Sequence, residues 1–186
     1  MQILEDEGPE RLSTNRIAER SGFSVGTIYQ YFENKQQILA ALRSEELRRS
    51  LDQIRTALEA ERPEASPELR TSARVRAVVR ILLRAFGGRH GARRSLMEQA
   101  LQAQGLEAMR APITEITRLL RSRSVAAGSS VRLSSTAAFV LAHAISGPIR
   151  AALATHASLL REPEFEQALV RLAVGYLTAS APKGGA

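Results

Sequence analysis

The chain lacks cysteine altogether, which excludes disulfides, thiolate metal sites and cysteine nucleophiles and leaves nothing to tie it to an oxidising compartment. It also lacks an uninterrupted apolar run long enough to span a bilayer. Its start, Met1-Gln2-Ile3-Leu4-Glu5-Asp6-Glu7, turns acidic where a signal peptide carries an apolar core. A soluble, cytoplasmic protein with no membrane partner is expected. Catalytic signals are missing too. The three histidines, His90, His143 and His156, are scattered, no nucleophile elbow or phosphate-cradling glycine loop occurs, and no carboxylate pair stands on an apolar face. The expectation is no enzyme, no metal and no cofactor. No segment of useful length alternates with period two, so strands are not expected.

What the chain does have is 186 residues, enough for one large domain or two small ones. Its net charge of +7 is unevenly placed: residues 1–62 hold 9 Arg or Lys against 11 Asp or Glu, and residues 63–186 hold 17 against 8. The basic excess lies in the C-terminal part, so the charge total alone says little about nucleic acid.

Apolar residues recur at helical spacing between punctuating Gly, Pro and Ser clusters. Leu39, Leu42, Leu47, Leu51, Ile54 and Leu58 mark one helix from Asn34 to Glu61, with Asn34 and Gln37 as its capping box. Val75, Val78, Val79, Leu82 and Phe86 mark another, flanked by Arg76, Arg80 and Arg84. Shorter helices are expected over Arg93–Ala103 and Pro112–Arg123. From Ser134 to Leu160 hardly any polar face remains, which predicts a helix buried all round that kinks or splits at Gly147-Pro148. In the last helix, Glu164 to Thr178, Phe165, Ala168, Leu169, Leu172 and Tyr176 share one side, with Val170, Val174 and Leu177 off it. Two final helices with excess apolar surface predict a homodimer; the alternative is a thick monomeric core of eight or nine helices. The tail, residues 181–186, reads as disordered.

Between Leu12 and Phe32 two short helices joined by a tight turn are expected, with Thr14 capping the first, Gly22 supplying the turn and Ser24 capping the second. This is helix-turn-helix spacing, with Ile17, Ala18, Phe23 and Ile28 as a small core. Gly26, Thr27, Gln30 and Tyr31 then point outward, a set of side chains suited to a DNA major groove and its flanking phosphates.

Within this element, Gly22-Phe23-Ser24-Val25-Gly26-Thr27-Ile28-Tyr29-Gln30-Tyr31-Phe32-Glu33-Asn34-Lys35 closely resembles the recognition segment of the tetracycline-repressor (TetR) family, and Leu12-Ser13-Thr14-Asn15-Arg16-Ile17-Ala18 matches as well. The resemblance covers about the first quarter of the chain. It implies an all-α fold: a three-helix DNA-binding domain over residues 1–45, its first helix truncated because only Ile3 to Glu7 precede Gly8, and a helical effector and dimerisation domain over residues 46–180. It further implies that Ser24, Val25, Gly26, Thr27 and Gln30 belong to the groove-reading element, that Tyr29 and Tyr31 reach phosphates or thymine methyls, and that Thr14, Asn15 and Lys35 meet the DNA backbone. Tyr29 is alternatively partly core, Thr14 only a cap, and Lys35 only a solvated charge.

By the same resemblance, the partners are double-stranded operator DNA, a second copy of the chain through its last two helices, and an unknown small-molecule effector. Phe86, Met97, Met109, Phe139 and His143 are the candidate pocket residues, with plain core packing as the alternative. The arginines Arg89, Arg93 and Arg94 form either a solvated face or an attraction for an anionic effector. The function implied is a repressor that an effector releases from a palindromic operator. Two alternatives stand beside it: an effector-independent DNA-binding activator, and a helical binding protein that does not bind DNA.

Overall fold

A computed structural model describes residues 2–8, 11–60, 66–87, 110–122 and 133–179. All regular structure among them is helical. Three short helices, α1 (Gln2–Asp6), α2 (Thr14–Ser21) and α3 (Val25–Tyr31), precede the 25-residue α4 (Lys35–Glu59). Then come α5 (Pro67–Gly87), α6 (Arg110–Ser122), α7 (Ser135–Thr155), a 3₁₀ turn (Ala157–Arg161) and α8 (Pro163–Ala179). The all-α fold agrees with the sequence pattern. The helix expected over Arg93–Ala103 lies outside the described residues, as do Arg89, His90, Met97, Met109 and the tail.

Helix α4 joins separate cores. Its first turns place Leu39 beside Ile3, Leu4 and Leu12, and Ile38 beside Ala18 and Ile28; its last turns bury Ile54 and Leu58 in the main core. Residues 40–53, between these ends, contribute no fully buried side chain. The surface there carries i,i+3 and i,i+4 ion pairs, Glu45 with Arg48 and Arg49, and Asp52 with Arg48 and Arg55. Hydrogen bonds from Arg48 and then Arg49 push the Glu45 carboxyl down to about 2. Such pairs favour an unbroken helix where tertiary packing is thin.

The main core is built by α5, α6, α7 and α8, with Val79, Ala138 and Ile149 almost wholly buried. Two of the three flank arginines of α5 have a specific task, since Arg76 and Arg80 reach Glu166 of α8 at 3.3 and 3.0 Å.

Three expectations for the last helices need correction. Of the kink or split expected at Pro148 the split does not occur, and helix α7 stops at Thr155, short of the expected Leu160, where His156 caps it and the 3₁₀ turn begins. It is not buried all round: Phe139 and Val140 are exposed, because α5, α6 and α8 cover only one side. By length and composition α7 could also cross a membrane, although it is interrupted by polar residues; here its apolar face (Leu141, Ile145, Ile149) packs in the main core. In α8 the buried stripe is Leu169, Val170, Ala173 and Leu177, rotated from the expected one, which leaves Leu172 and Ala168 outside.

Candidate nucleic-acid interface

Local chemistry fixes the α2–α3 unit. Ser13, not Thr14, is the N-cap of α2, its Oγ accepting from the Arg16 amide at 3.1 Å. Buried Leu12 anchors the chain just before this cap. Thr14 is therefore the first helical residue, and its hydroxyl donates instead to the Tyr29 phenol oxygen at 3.3 Å, linking the start of α2 to α3. Gly22 ends α2 at φ 73°, in the left-handed region that favours glycine. Ser24 caps α3, accepting from the Thr27 amide at 3.0 Å and sharing a hydroxyl contact of 2.8 Å with Thr27 Oγ1.

Ala18 and Ile28 pack with Ile38 as a small core, with Ile17 and Phe32 against it. The expected fourth member, Phe23, joins neither small cluster and is 62% exposed. The α4 cap also differs from the expected box: Asn34 accepts from the Gln37 amide at 3.0 Å, but the Gln37 side chain reaches back to the Glu33 amide at 2.9 Å, one residue early.

Packing of one face of α3 leaves the other free. Val25, Gly26 and Gln30 are exposed, Tyr29 is 53% and Tyr31 75% exposed, and Thr27 is half-buried beside Ser24. Tyr29 thus lies more outside than in the core. Helix α3 has no charged residue, so its open face is aromatic and amide in character. Asn15 is exposed in the first turn of α2, and Lys35 begins α4 half-buried. The structure therefore gathers Thr14, Tyr29 and the α3 face around one turn.

Sequence reasoning overlooked the support beneath this face. Ile3 and Leu4 of the five-residue α1 bury against Leu12 and Leu39. Beyond α1, Glu7 accepts from Arg16 through both carboxylate oxygens, and Arg20 pairs with Asp6 at 3.1 Å. Only the Arg16-Ile17 and Arg20 spacing on α2 could have signalled it.

Residues 1–42 match the family model for bacterial regulatory proteins, tetR family. They form a tetR-family N-terminal domain. No curated protein sequence matches the chain significantly. Two solved structures share its fold: the fatty acid degradation regulator FadR from Bacillus halodurans, with a TM-score of 0.55 at 18% identity over 97% of this chain and 91% of that one, and a transcriptional regulator of the TetR/AcrR family from Thermobifida fusca YX-ER1, with a TM-score of 0.52 at 18% identity over 97% of this chain and 92% of that one.

Behind the tetR-family domain, the helical body encloses a cavity of about 50 Å³ among α5, α6, α7 and α8. Val79, Phe86, Ile113, Leu141 and Ile149 are among its walls, and Ser146 is the one polar side chain in its lining. Of the candidate pocket residues, Phe86 lines this cavity. Phe139 and His143 do not: they sit on the flank of α7 turned to α6, where they line an open groove with Arg110, Arg118, Arg121 and Arg150. Their rings stack with centroids 3.9 Å apart, and His143 Nδ1 lies 2.9 Å from the Phe139 carbonyl oxygen.

Proposed function

We propose that the protein is a ligand-responsive transcriptional repressor that binds a palindromic operator as a homodimer and leaves it when a small molecule occupies the helical body. The observation that carries this reading is the uncharged, exposed face of α3, held by paired serine caps and the left-handed Gly22 within a tetR-family domain. In it Val25, Gly26, Thr27 and Gln30 meet base edges, Ser24 orders the helix start, Tyr29 and Tyr31 meet phosphates or thymine methyls, and Thr14, Asn15 and Lys35 meet the backbone. Residues 1–45 act as the reading domain and 46–180 as the sensing and pairing domain, in the cytoplasm where the operator lies.

Pairing is supported by the outer faces of α7 and α8. Val140, Ala144 and Ala151 share a side of α7 away from the core, and Ala168, Leu172 and Gly175 do so on α8. Side by side they offer an apolar surface with small residues that lets two helix pairs approach closely. Signalling is supported by α6, which lines the cavity through Ile113, Ile116 and Leu120 and also contacts α4. A ligand that spreads the cavity would shift α6 and swing the sparsely packed α4, changing the separation of the two reading heads. The cavity favours this reading over an effector-independent activator.

Footprinting on the DNA flanking the protein's own gene tests it. A symmetric protected site is expected; no protection at about 1 µM, some hundredfold above a typical specific affinity, would overturn it.

A further inference from the structure

We propose that the open groove between α6 and α7 binds single-stranded nucleic acid, with its arginines along the phosphates and Phe139 stacking on a base. This surface lies outside the core cavity and apart from the open face of α3, so it does not rest on the function proposed above.

The two spaces in the helical body admit different things. The core cavity, at about 50 Å³, has room for little beyond a few waters. The groove holds about 710 Å³ and opens to solvent.

Helix α6 supplies one edge. Arg110, Thr114, Arg118 and Arg121 recur at steps of four, four and three, which puts them on one side of the helix. From Arg110 to Arg121 an α-helix rises about 16 Å, so the cations form a strip rather than a cradle around one point. A strip follows a chain of phosphates better than it surrounds a single anion.

Arg150 of α7 stands on the other edge. Four guanidiniums line the groove, and Arg118 pairs with Glu115 at 2.8 Å. Arg121 and Arg150 make no ion pair among the described residues, and Arg150 Nε is buried without a hydrogen-bond partner. The described lining includes no carboxylate. A phosphate in the groove therefore meets guanidiniums, whose planar donor sets match its oxygens. The wider charge agrees, since residues 63–186 hold 17 Arg or Lys against 8 Asp or Glu and so attract a polyanion.

The second component is a ring. Phe139 is 55% exposed. His143 stacks against it at 3.9 Å between centroids and is itself anchored by Nδ1, 2.9 Å from the Phe139 carbonyl oxygen. The phenyl ring is thus held in place while more than half of the residue stays open to solvent. A basic groove beside a fixed aromatic face suits a strand whose bases are free to stack, which a duplex keeps paired inside. Val140, Ala144 and Ala151 point about 100° around α7 from Phe139, His143 and Arg150, so a strand in the groove leaves the outer face of α7 free.

Fluorescence anisotropy on the full chain with labelled single-stranded decathymidylate tests this. The strand should bind at least about tenfold tighter than its duplex with decaadenylate, and thymidine monophosphate and inorganic tripolyphosphate should compete at least about tenfold more weakly than unlabelled strand. Phe139→Leu, at an exposed position, should weaken the strand by about tenfold and leave an abasic strand of equal length unchanged. Arg121→Gln should reduce the salt slope for both strands by about 0.7, the share of one phosphate contact. Circular dichroism of both variants should match the parent. No binding of the strand, or a duplex bound as tightly, would overturn the proposal. Tripolyphosphate or the mononucleotide competing as well as the strand would make the groove a small-anion site instead. Parental affinity in both variants would place the strand elsewhere, and equal losses for normal and abasic strands with Phe139→Leu would remove the stacking.

Discussion

The guanidinium of Arg16 grips the Glu7 carboxylate through two nitrogens, Nε at 2.9 Å from Oε2 and Nη2 at 2.7 Å from Oε1. The pair fastens the segment after α1 to the middle of α2, and both side chains are partly shielded from solvent. The hydrogen bond from Arg16 holds the Glu7 carboxyl below its ordinary value of 4.5, helped by the charges of Arg16, Arg20 and Arg11 and opposed by desolvation.

A depressed carboxyl stabilises the folded state at pH values above its unfolded value, and that contribution disappears as pH falls through the lowered one. Glu7→Gln should therefore unfold at lower urea than the parent near neutral pH, and the gap should close as pH falls below 4.5. Urea midpoints for the two proteins across the acid range check this; a gap that persists or widens in acid would remove the pair from the account.

Gly22 is at φ 73° with nothing within 4 Å of where a Cβ would sit. Strain is thus the whole cost of substitution there. Gly22→Ala should destabilise by about 1–2 kcal/mol and Gly22→Asn by less, since asparagine tolerates the left-handed region. Denaturant titration of both variants measures it, and an alanine no worse than asparagine would contradict it.

How much of this was legible follows from how local each cause is. Gly22 and Ser24 were readable because a left-handed turn and a side-chain cap are decided within a few residues. The Ser13 and Thr14 assignment was missed by one position, since both can cap and the buried Leu12 that selects between them acts through tertiary contact. Phe23, Phe139 and Leu172 are apolar by type, but whether each is covered depends on neighbours distant in sequence. Ser146 carried no signal at all in an apolar run; only the walls around it make its hydroxyl conspicuous.

The reading domain has few cations to offer phosphates. Residues 1–45 hold five basic side chains, and two of them, Arg16 and Arg20, are held by Glu7, Asp6 and Glu19. With one or two of the five used per head, the logarithm of operator affinity should fall with the logarithm of salt with a slope of about −2 to −4 for a dimer. Anisotropy titrations over a range of salt give the slope; a value near −8 would place other basic residues on the DNA.

Pairing through the outer faces of α7 and α8 requires Leu172 and Val140 to be covered. Leu172→Arg and Val140→Glu should shift the protein from dimer to monomer by sedimentation while leaving its helicity intact. Sedimentation of the parent as a monomer, or of both variants as dimers, would place the interface elsewhere.

The account turns on the open face of α3, and the most direct measurement is the affinity of a Gln30→Ala, Tyr31→Ala double variant for the footprinted duplex, beside its circular dichroism. Both side chains are exposed, so the helices should be unchanged. A loss of at least about tenfold in affinity is predicted, the scale of one specific contact. Parental affinity with parental helicity would mean that α3 does not read the operator.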